Sequence, residues 1–135
     1  MPDVITELLR SARTIAVVGL STQPWKAAHS VPAAMQAAGF RIIPVHPSAE
    51  QILGEKAYRS LLDVPDKIDI VDVFRPEQEA PEIAEQAVRV GAGAVWLQLG
   101  LRSERAREIA EAGGLAYVED HCIAVERASR RITLT

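Results

Sequence analysis

Polar and turn-forming residues stand at four places where short apolar, β-branched runs stop. Gly19-Leu20-Ser21 follows the run from Thr14, and Val45-His46-Pro47 follows Arg41-Ile42-Ile43-Pro44. Val73-Phe74-Arg75 ends the run from Ile68, and Gln98-Leu99-Gly100 follows Ala94-Val95-Trp96-Leu97. Runs this short read as buried strands rather than helices. In an open parallel sheet, ligands bind in the crevice outside the carboxyl ends of the strands. Four such ends point to one composite site for a nucleotide-shaped ligand.

Each end supports a specific chemistry beside a plainer alternative. Gly19 holds the first position of a dinucleotide fingerprint, G-x-G-x-x-G, whose other glycines are absent. Backbone N–H groups there, with the Ser21 and Thr22 hydroxyls, suit a phosphate near the next helix N-terminus; a plain strand-to-helix turn is the alternative. Lys26 is the best-placed cation for a terminal phosphate, against a merely solvated lysine. Trp25 beside it is hard to explain by packing and suits a place over the ligand or at a subunit contact. A classical NAD domain carries an acidic residue at the end of its second strand. Here the chain reads His46-Pro47-Ser48, with no carboxylate before Glu50, which argues against an NAD dehydrogenase. His46 reads as a binding or packing residue rather than a base. Phe74 suits packing on a purine or an aliphatic arm and Arg75 suits a phosphate, although a core Phe beside a surface Arg is equally consistent. Gly100 permits close backbone approach or simply a tight turn, and Trp96 reads as core.

Asp120-His121-Cys122 sets acid, base and thiol side by side, but neighbours in sequence do not face one another, so no catalytic residue is assigned. A helix N-terminus would favour a thiolate at Cys122; a buried structural cysteine is the favoured reading. His29, His46 and His121 are scattered and lack the spacing of metal ligands, so no metal site is expected.

The 135 residues suit a single domain. A formal charge of −3 argues against a general nucleic-acid binder. No apolar stretch reaches the ~20 residues that span a bilayer, so no membrane partner is expected. With one cysteine and no signal-peptide pattern at Met1-Pro2-Asp3-Val4, a cytoplasmic protein is expected. A twofold homodimer is the reference expectation for its assembly.

Val4, Ile5, Leu8, Leu9 and Ala12 carry helical spacing, as do Val31, Ala34, Met35 and Ala38, whose helix Gly39 ends. Pro44 is acceptable where the second strand stops. Between Pro47 and Pro65 the pattern is irregular, with a weak edge strand near Lys56-Ala57 and a helical turn at Ser60-Leu61-Leu62. Pro81 starts a helix reaching Arg89 with Ile83, Ala84, Ala87 and Val88 inward. Ser103 caps another to Ala112, Ala116 to Val118 is a strand, and a short helix starts near Cys122. Strands alternating with helices predict a parallel sheet covered on both faces. The expected fold is an α/β, three-layer, Rossmann-like doubly wound sheet in the order 3-2-1-4-5-6, with the weak strand third.

These strings together resemble a known family, the small CoA-binding domain proteins, which are related to the N-terminal domain of the succinyl-CoA synthetase alpha subunit. The resemblance covers nearly the whole chain and rests on Ile15–Ser21, Gly39–Pro47, Asp72–Arg75, Val95–Gly100 and Asp120–Cys122. It implies that Gly19, Leu20 and Ser21 cradle a CoA pyrophosphate, with Lys26 as a phosphate contact. Val45, His46 and Pro47 would border the adenosine end, Val73, Phe74 and Arg75 would line the cofactor, and Gln98, Leu99 and Gly100 would lie towards the pantetheine arm. His46 departs from a pattern that usually reads Pro-Val-Asn-Pro. The resemblance does not carry ligase activity, which needs a further domain with a phosphorylated histidine and a second subunit.

The sequence therefore supports a non-catalytic module that binds CoA or acyl-CoA. Two alternatives stand beside it: an enzyme acting on a CoA thioester through Cys122 or His46, and a binder of another nucleotide such as NADP or an adenylate.

Overall fold

In the computed structural model, which describes residues 3–134, the Asp3 carboxylate accepts the Thr6 N–H at 2.8 Å and starts helix α1 (Val4–Ser11). Ile5 and Leu9, four apart, put the buried stripe of α1 on the sheet. The chain then runs through β1 (Thr14–Val18), α2 (Ala27–Ala37), β2 (Arg41–Val45), β3 (Gln51–Ile52) and β4 (Glu55–Lys56). It continues through β5 (Ile70–Val73), α3 (Ala80–Arg89), β6 (Ala94–Leu97), α4 (Glu104–Ala112), β7 (Ala116–Val118) and α5 (Ile123–Ser129). Single 3₁₀ turns occupy Leu61–Asp63 and Glu77–Glu79. Ser60 caps the first turn and Ser103 caps α4.

Five parallel strands form the main sheet in the order β2-β1-β5-β6-β7. Because side chains alternate along a strand, each strand feeds two cores. Ala16, Ile43, Val71, Val73, Val95 and Leu97 face one way, towards Ile83, Ala84 and Ala87 of α3 and Ala106 and Ala110 of α4. Ile15, Val17, Ile42, Ile70, Ala94 and Trp96 face the other, towards Leu9, Met35 and Ile123 of α1, α2 and α5. This is the doubly wound, three-layer arrangement.

The expected third strand is the one element that changes. Glu55–Lys56 pairs antiparallel with Gln51–Ile52 in a separate hairpin, and a single parallel bridge from Tyr58 to Val45 stands at the rim of β2. The hairpin turns on Leu53 and Gly54, both at positive φ (57° and 76°), as the tight turns matched to strand twist require. Leucine gives no sequence signal for such a turn.

Two prolines sit inside regular elements for identifiable reasons. The Pro44 carbonyl accepts the Tyr58 N–H at 2.9 Å on the outer side of β2, so its missing donor lies on that side and the β1–β2 ladder loses nothing. Its tolerance comes from being on an edge strand, not only from lying near the strand's end. Pro32 lies within α2 and cannot donate to the carbonyl four residues back. That carbonyl, on Ala28, instead accepts the Ser21 N–H at 3.0 Å. The helix defect thereby becomes an anchor for the loop after β1.

Candidate functional site

Sheet order reverses between β1 and β5, so their carboxyl ends diverge and open a crevice. Gly19 sits at its base with φ of +92°; a Cβ there would lie 2.7 Å from the Phe74 carbonyl oxygen and 2.8 Å from Arg75 Cδ. Only glycine lets the two strand ends approach this closely. A cavity of about 690 Å³ covers them. Val18 to Ser21, Lys26 and Ala28 form one wall, Val45-His46-Pro47 the second, and Phe74-Arg75 the floor. Arg59, Ser60 and Leu61 from the loop before β5, with Glu79, Glu82, Ile83 and Gln86, close the far side.

The loop after β1 is partly committed to its own structure. Ser21 N–H is held by Ala28, and the Ser21 hydroxyl accepts the Gln23 N–H at 3.0 Å. The expectation that this loop offers its N–H groups to a phosphate is thus corrected at Ser21, because Pro32 frees the carbonyl that claims it. Lys26 is the N-cap residue of α2 and makes no side-chain capping bond. The N–H groups of Ala27 and Ala28 remain open among the described residues, Ala28 beside this cavity, while His29 N–H already donates to the Lys26 carbonyl at 2.9 Å; the positive end of the helix stands behind them. Trp25 is 77% exposed next to Lys26.

His46 has a structural task. Its Nδ1 accepts the N–H groups of Ser48 (3.1 Å) and Ala49 (2.9 Å), closing the turn as an Asx side chain would. Nδ1 is therefore the acceptor nitrogen, and the proton sits on Nε2. This excludes Nδ1 as a base and explains how histidine serves where the resembled pattern has asparagine.

Arg75 is not a free cation. Its Nε and a terminal nitrogen grip Glu79 at 3.1 and 2.8 Å. The pair holds the Glu79 carboxyl below the usual carboxylate range, mainly through that hydrogen bond. Sequence reading missed Glu79 because residues 77–79 gave no helical pattern before Pro81, although the i,i+4 spacing to Arg75 was available as a signal. It also missed Arg59. Lys26 and Arg59 form no ion pair among the described residues, and they are the uncommitted cations of this cavity.

A second cavity of about 390 Å³ lies on the other face of the sheet, lined by Ala27, Val31, Phe74, Arg75, Pro76, Gln98, Leu99, Leu101 and Cys122. Phe74 and Arg75 belong to both cavities and form the ridge between them. The loop that builds this wall is latched to the chain after β7. Gly100 N–H donates to Asp120 Oδ1 at 2.7 Å, Asp120 N–H to the Leu101 carbonyl, and Ile123 N–H to Gln98 Oε1 at 3.1 Å. The Gly100 bond, with Arg102 beside it, keeps the Asp120 carboxyl below its usual range.

The expected site residues thus divide. Gly19, Leu20, Ser21, Lys26, Val45, His46, Pro47, Phe74 and Arg75 line the larger cavity, whereas Gln98 and Leu99 line the smaller. Val73 is fully buried and lines neither cavity, and Gly100 serves the latch. Asp120, His121 and Cys122 do not form a relay. Asp120 holds Gly100 and Arg102, His121 Nδ1 meets the Glu119 carbonyl, and the His121 carbonyl accepts from Trp96 Nε1. Cys122 is half-buried at the smaller cavity, which corrects its reading as a buried structural cysteine.

One buried group has no role in either cavity. Asp72 is 1% exposed in the middle of β5, its Oδ1 has no partner, and burial raises its carboxyl well above the ordinary value. Among the described residues no group of carboxylates, histidines and cysteines could hold a metal ion, and no helix is long and apolar enough to cross a membrane.

Comparison with known proteins gives this geometry a lineage. The chain is 42% identical over 124 residues to the uncharacterized protein YneT of Bacillus subtilis, covering 92% of each. It superposes on a hypothetical protein from Pyrococcus horikoshii with a TM-score of 0.89 and 37% identity, covering 93% of this chain and 88% of that one. Over 95 residues it is 33% identical to an ADP-forming acetate–CoA ligase of Archaeoglobus fulgidus, a match spanning 68% of this chain and 14% of the ligase. The family model for the CoA binding domain matches residues 13–128, and the chain belongs to that family.

Proposed function

We propose that the protein binds coenzyme A or an acyl-CoA across the carboxyl ends of its parallel sheet and acts as a binding module rather than as an enzyme. The observation that carries this reading is the 690 Å³ cavity at the sheet's switch point, floored by Gly19 and Phe74 and bordered by an uncapped helix N-terminus with Lys26. The pyrophosphate fits against the α2 N-terminus and Lys26. The adenosine end fits between Val45-His46-Pro47 and Arg59, where the His46 Nε2–H and the Arg59 guanidinium are available as donors. Arg75, committed to Glu79, shapes the ridge between the cavities more than it neutralises phosphate.

Binding is favoured over turnover because the reactive side chains are already engaged. His46 Nδ1 closes its turn, His121 Nδ1 meets a backbone carbonyl, and no base hydrogen-bonds Cys122 among the described residues. A cytoplasmic location and a domain like that of the succinyl-CoA synthetase alpha subunit accord with this reading. Isothermal calorimetry with CoA, dephospho-CoA and NAD tests it. CoA should bind, removal of the 3′-phosphate should weaken binding at least tenfold, and NAD should not bind. Equal affinity for CoA and NAD, or none for CoA, would refute it.

A further inference from the structure

The smaller cavity has a lining that the pantetheine arm does not explain. Ala27, Val31, Phe74, Pro76, Leu99 and Leu101 give it apolar walls, and Leu99 is 71% exposed at its rim. The arm carries two amides and a hydroxyl, which lose hydrogen bonds in such surroundings. A hydrocarbon chain loses none. One amide reaches the cavity: Gln98 is 5% exposed, and Ile123 N–H occupies its Oε1. That leaves its Nε2 as a donor with no protein acceptor among the described residues. The cavity adjoins the nucleotide pocket across the Phe74-Arg75 ridge and is within the ~300–1,000 Å³ range of small-molecule sites.

We infer that the smaller cavity is an acyl subsite, which takes the hydrocarbon of an acyl-CoA thioester and offers Gln98 Nε2 to the thioester carbonyl. The inference rests on the CoA reading above and narrows it, making a thioester with an apolar acyl group the preferred ligand over free CoA. Each methylene buried there is worth about fourfold in affinity when fully covered. The cavity is open on one side, so the four added methylenes of hexanoyl-CoA over acetyl-CoA should improve binding by roughly tenfold or more.

Two readouts locate the chain. Cys122 is the sole cysteine and lines this cavity, so its alkylation by iodoacetamide reports occupancy directly. Saturating hexanoyl-CoA should slow alkylation about tenfold, while desulfo-CoA, which lacks the thiol that would itself consume iodoacetamide, should at equal saturation slow it much less. The second readout is calorimetry on Val31→Trp, which fills the cavity and should abolish the preference for hexanoyl-CoA while free CoA still binds. The wild-type alkylation result stands whether or not that variant folds. Equal protection of Cys122 by desulfo-CoA and hexanoyl-CoA, or equal affinity for hexanoyl- and acetyl-CoA, would overturn the acyl subsite while leaving CoA binding intact. Failure of all three ligands to bind would overturn the CoA reading and the subsite with it.

Discussion

Three glycine substitutions separate two costs that coincide at Gly19. Gly91 has positive φ (74°) and open space around a Cβ, so Gly91→Ala carries backbone strain alone, about 1–2 kcal/mol. Gly93 lacks positive φ, but its Cβ would lie 2.8 Å from the Asp69 carbonyl oxygen, so Gly93→Ala carries the clash alone, about 1–3 kcal/mol. Gly19 combines φ of +92° with backbone oxygen at 2.7 Å, so Gly19→Ala should cost roughly the sum, ~2–5 kcal/mol. Against a domain stability of ~5–15 kcal/mol, that is a large loss. Urea unfolding monitored by circular dichroism should give midpoints in the order wild type, then Gly91→Ala and Gly93→Ala, then Gly19→Ala. With a slope near ~2 kcal/mol/M, the Gly19→Ala midpoint should fall by roughly 1–2.5 M. If Gly19→Ala unfolds no earlier than Gly91→Ala, the β1 and β5 ends do not approach this closely, and the floor of the larger cavity is wrong.

Other perturbations read the site and the core. Pro32→Ala gives α2 back its missing donor, which competes with Ser21 N–H for the Ala28 carbonyl; stability should hold or rise while CoA affinity falls, and parallel changes in both would contradict the coupling. Lys26→Ala and Arg59→Ala should each weaken CoA binding by ~1–3 kcal/mol in calorimetry, and Arg75→Ala by less. Unchanged affinity in both Lys26 and Arg59 variants would remove the assignment of these cations. His46→Ala leaves two turn N–H groups without an acceptor and should cost ~1–2 kcal/mol in urea, whereas His46→Asn should recover most of that loss. Asp72 has its folded pKa raised by burial, so its contribution to stability is complete below the ordinary carboxylate pKa and is lost as pH rises towards the folded value. The loss runs at up to ~1.4 kcal/mol per pH unit. Comparing urea midpoints at pH 5 and 8, Asp72→Asn should flatten this decline; an unchanged slope would show that Asp72 is not its source.

Most of the fold was legible because local chemistry and global packing agree. Ser60 and Ser103 cap the helical turns that begin beside them, Pro81 stands in the first turn of α3, and the β-branched runs are strands buried on both faces. The strand ends were legible as a cavity lining for the same reason, since apolar runs must stop where the chain meets solvent at the sheet's edge. The features that escaped the sequence depend on partners. Leu53 adopts positive φ within a hairpin that Gln36 Nε2 braces at 3.0 Å through the Leu53 carbonyl, a contact across 17 positions. Arg75 looked like a phosphate ligand until Glu79 was placed beside it. Arg59 follows a single bridged residue in an irregular loop, and nothing in its neighbours places it opposite Lys26. The division of the site between two faces of the sheet is a property of the Phe74-Arg75 ridge. No string of residues announces which side of a sheet a loop will fall on.

The rim of β2 has a consequence for how the molecule behaves in a crowd of copies. Edge strands recruit other chains through their unpaired donors and acceptors. On β2, Arg41 N–H and the Val45 carbonyl point inward to Arg13 and Gly19, so the alternate residues Ile42, Pro44 and His46 face outward. Pro44 has no donor, and Tyr58 takes its carbonyl and supplies the acceptor for His46 N–H. Only Ile42 is left to pair, and one residue is too little to seed a foreign strand. The opposite edge, β7, has three residues. The β2 edge is closed to runaway extension by a proline and a tyrosine, and the same Tyr58 anchors the segment that carries Arg59 beside the larger cavity.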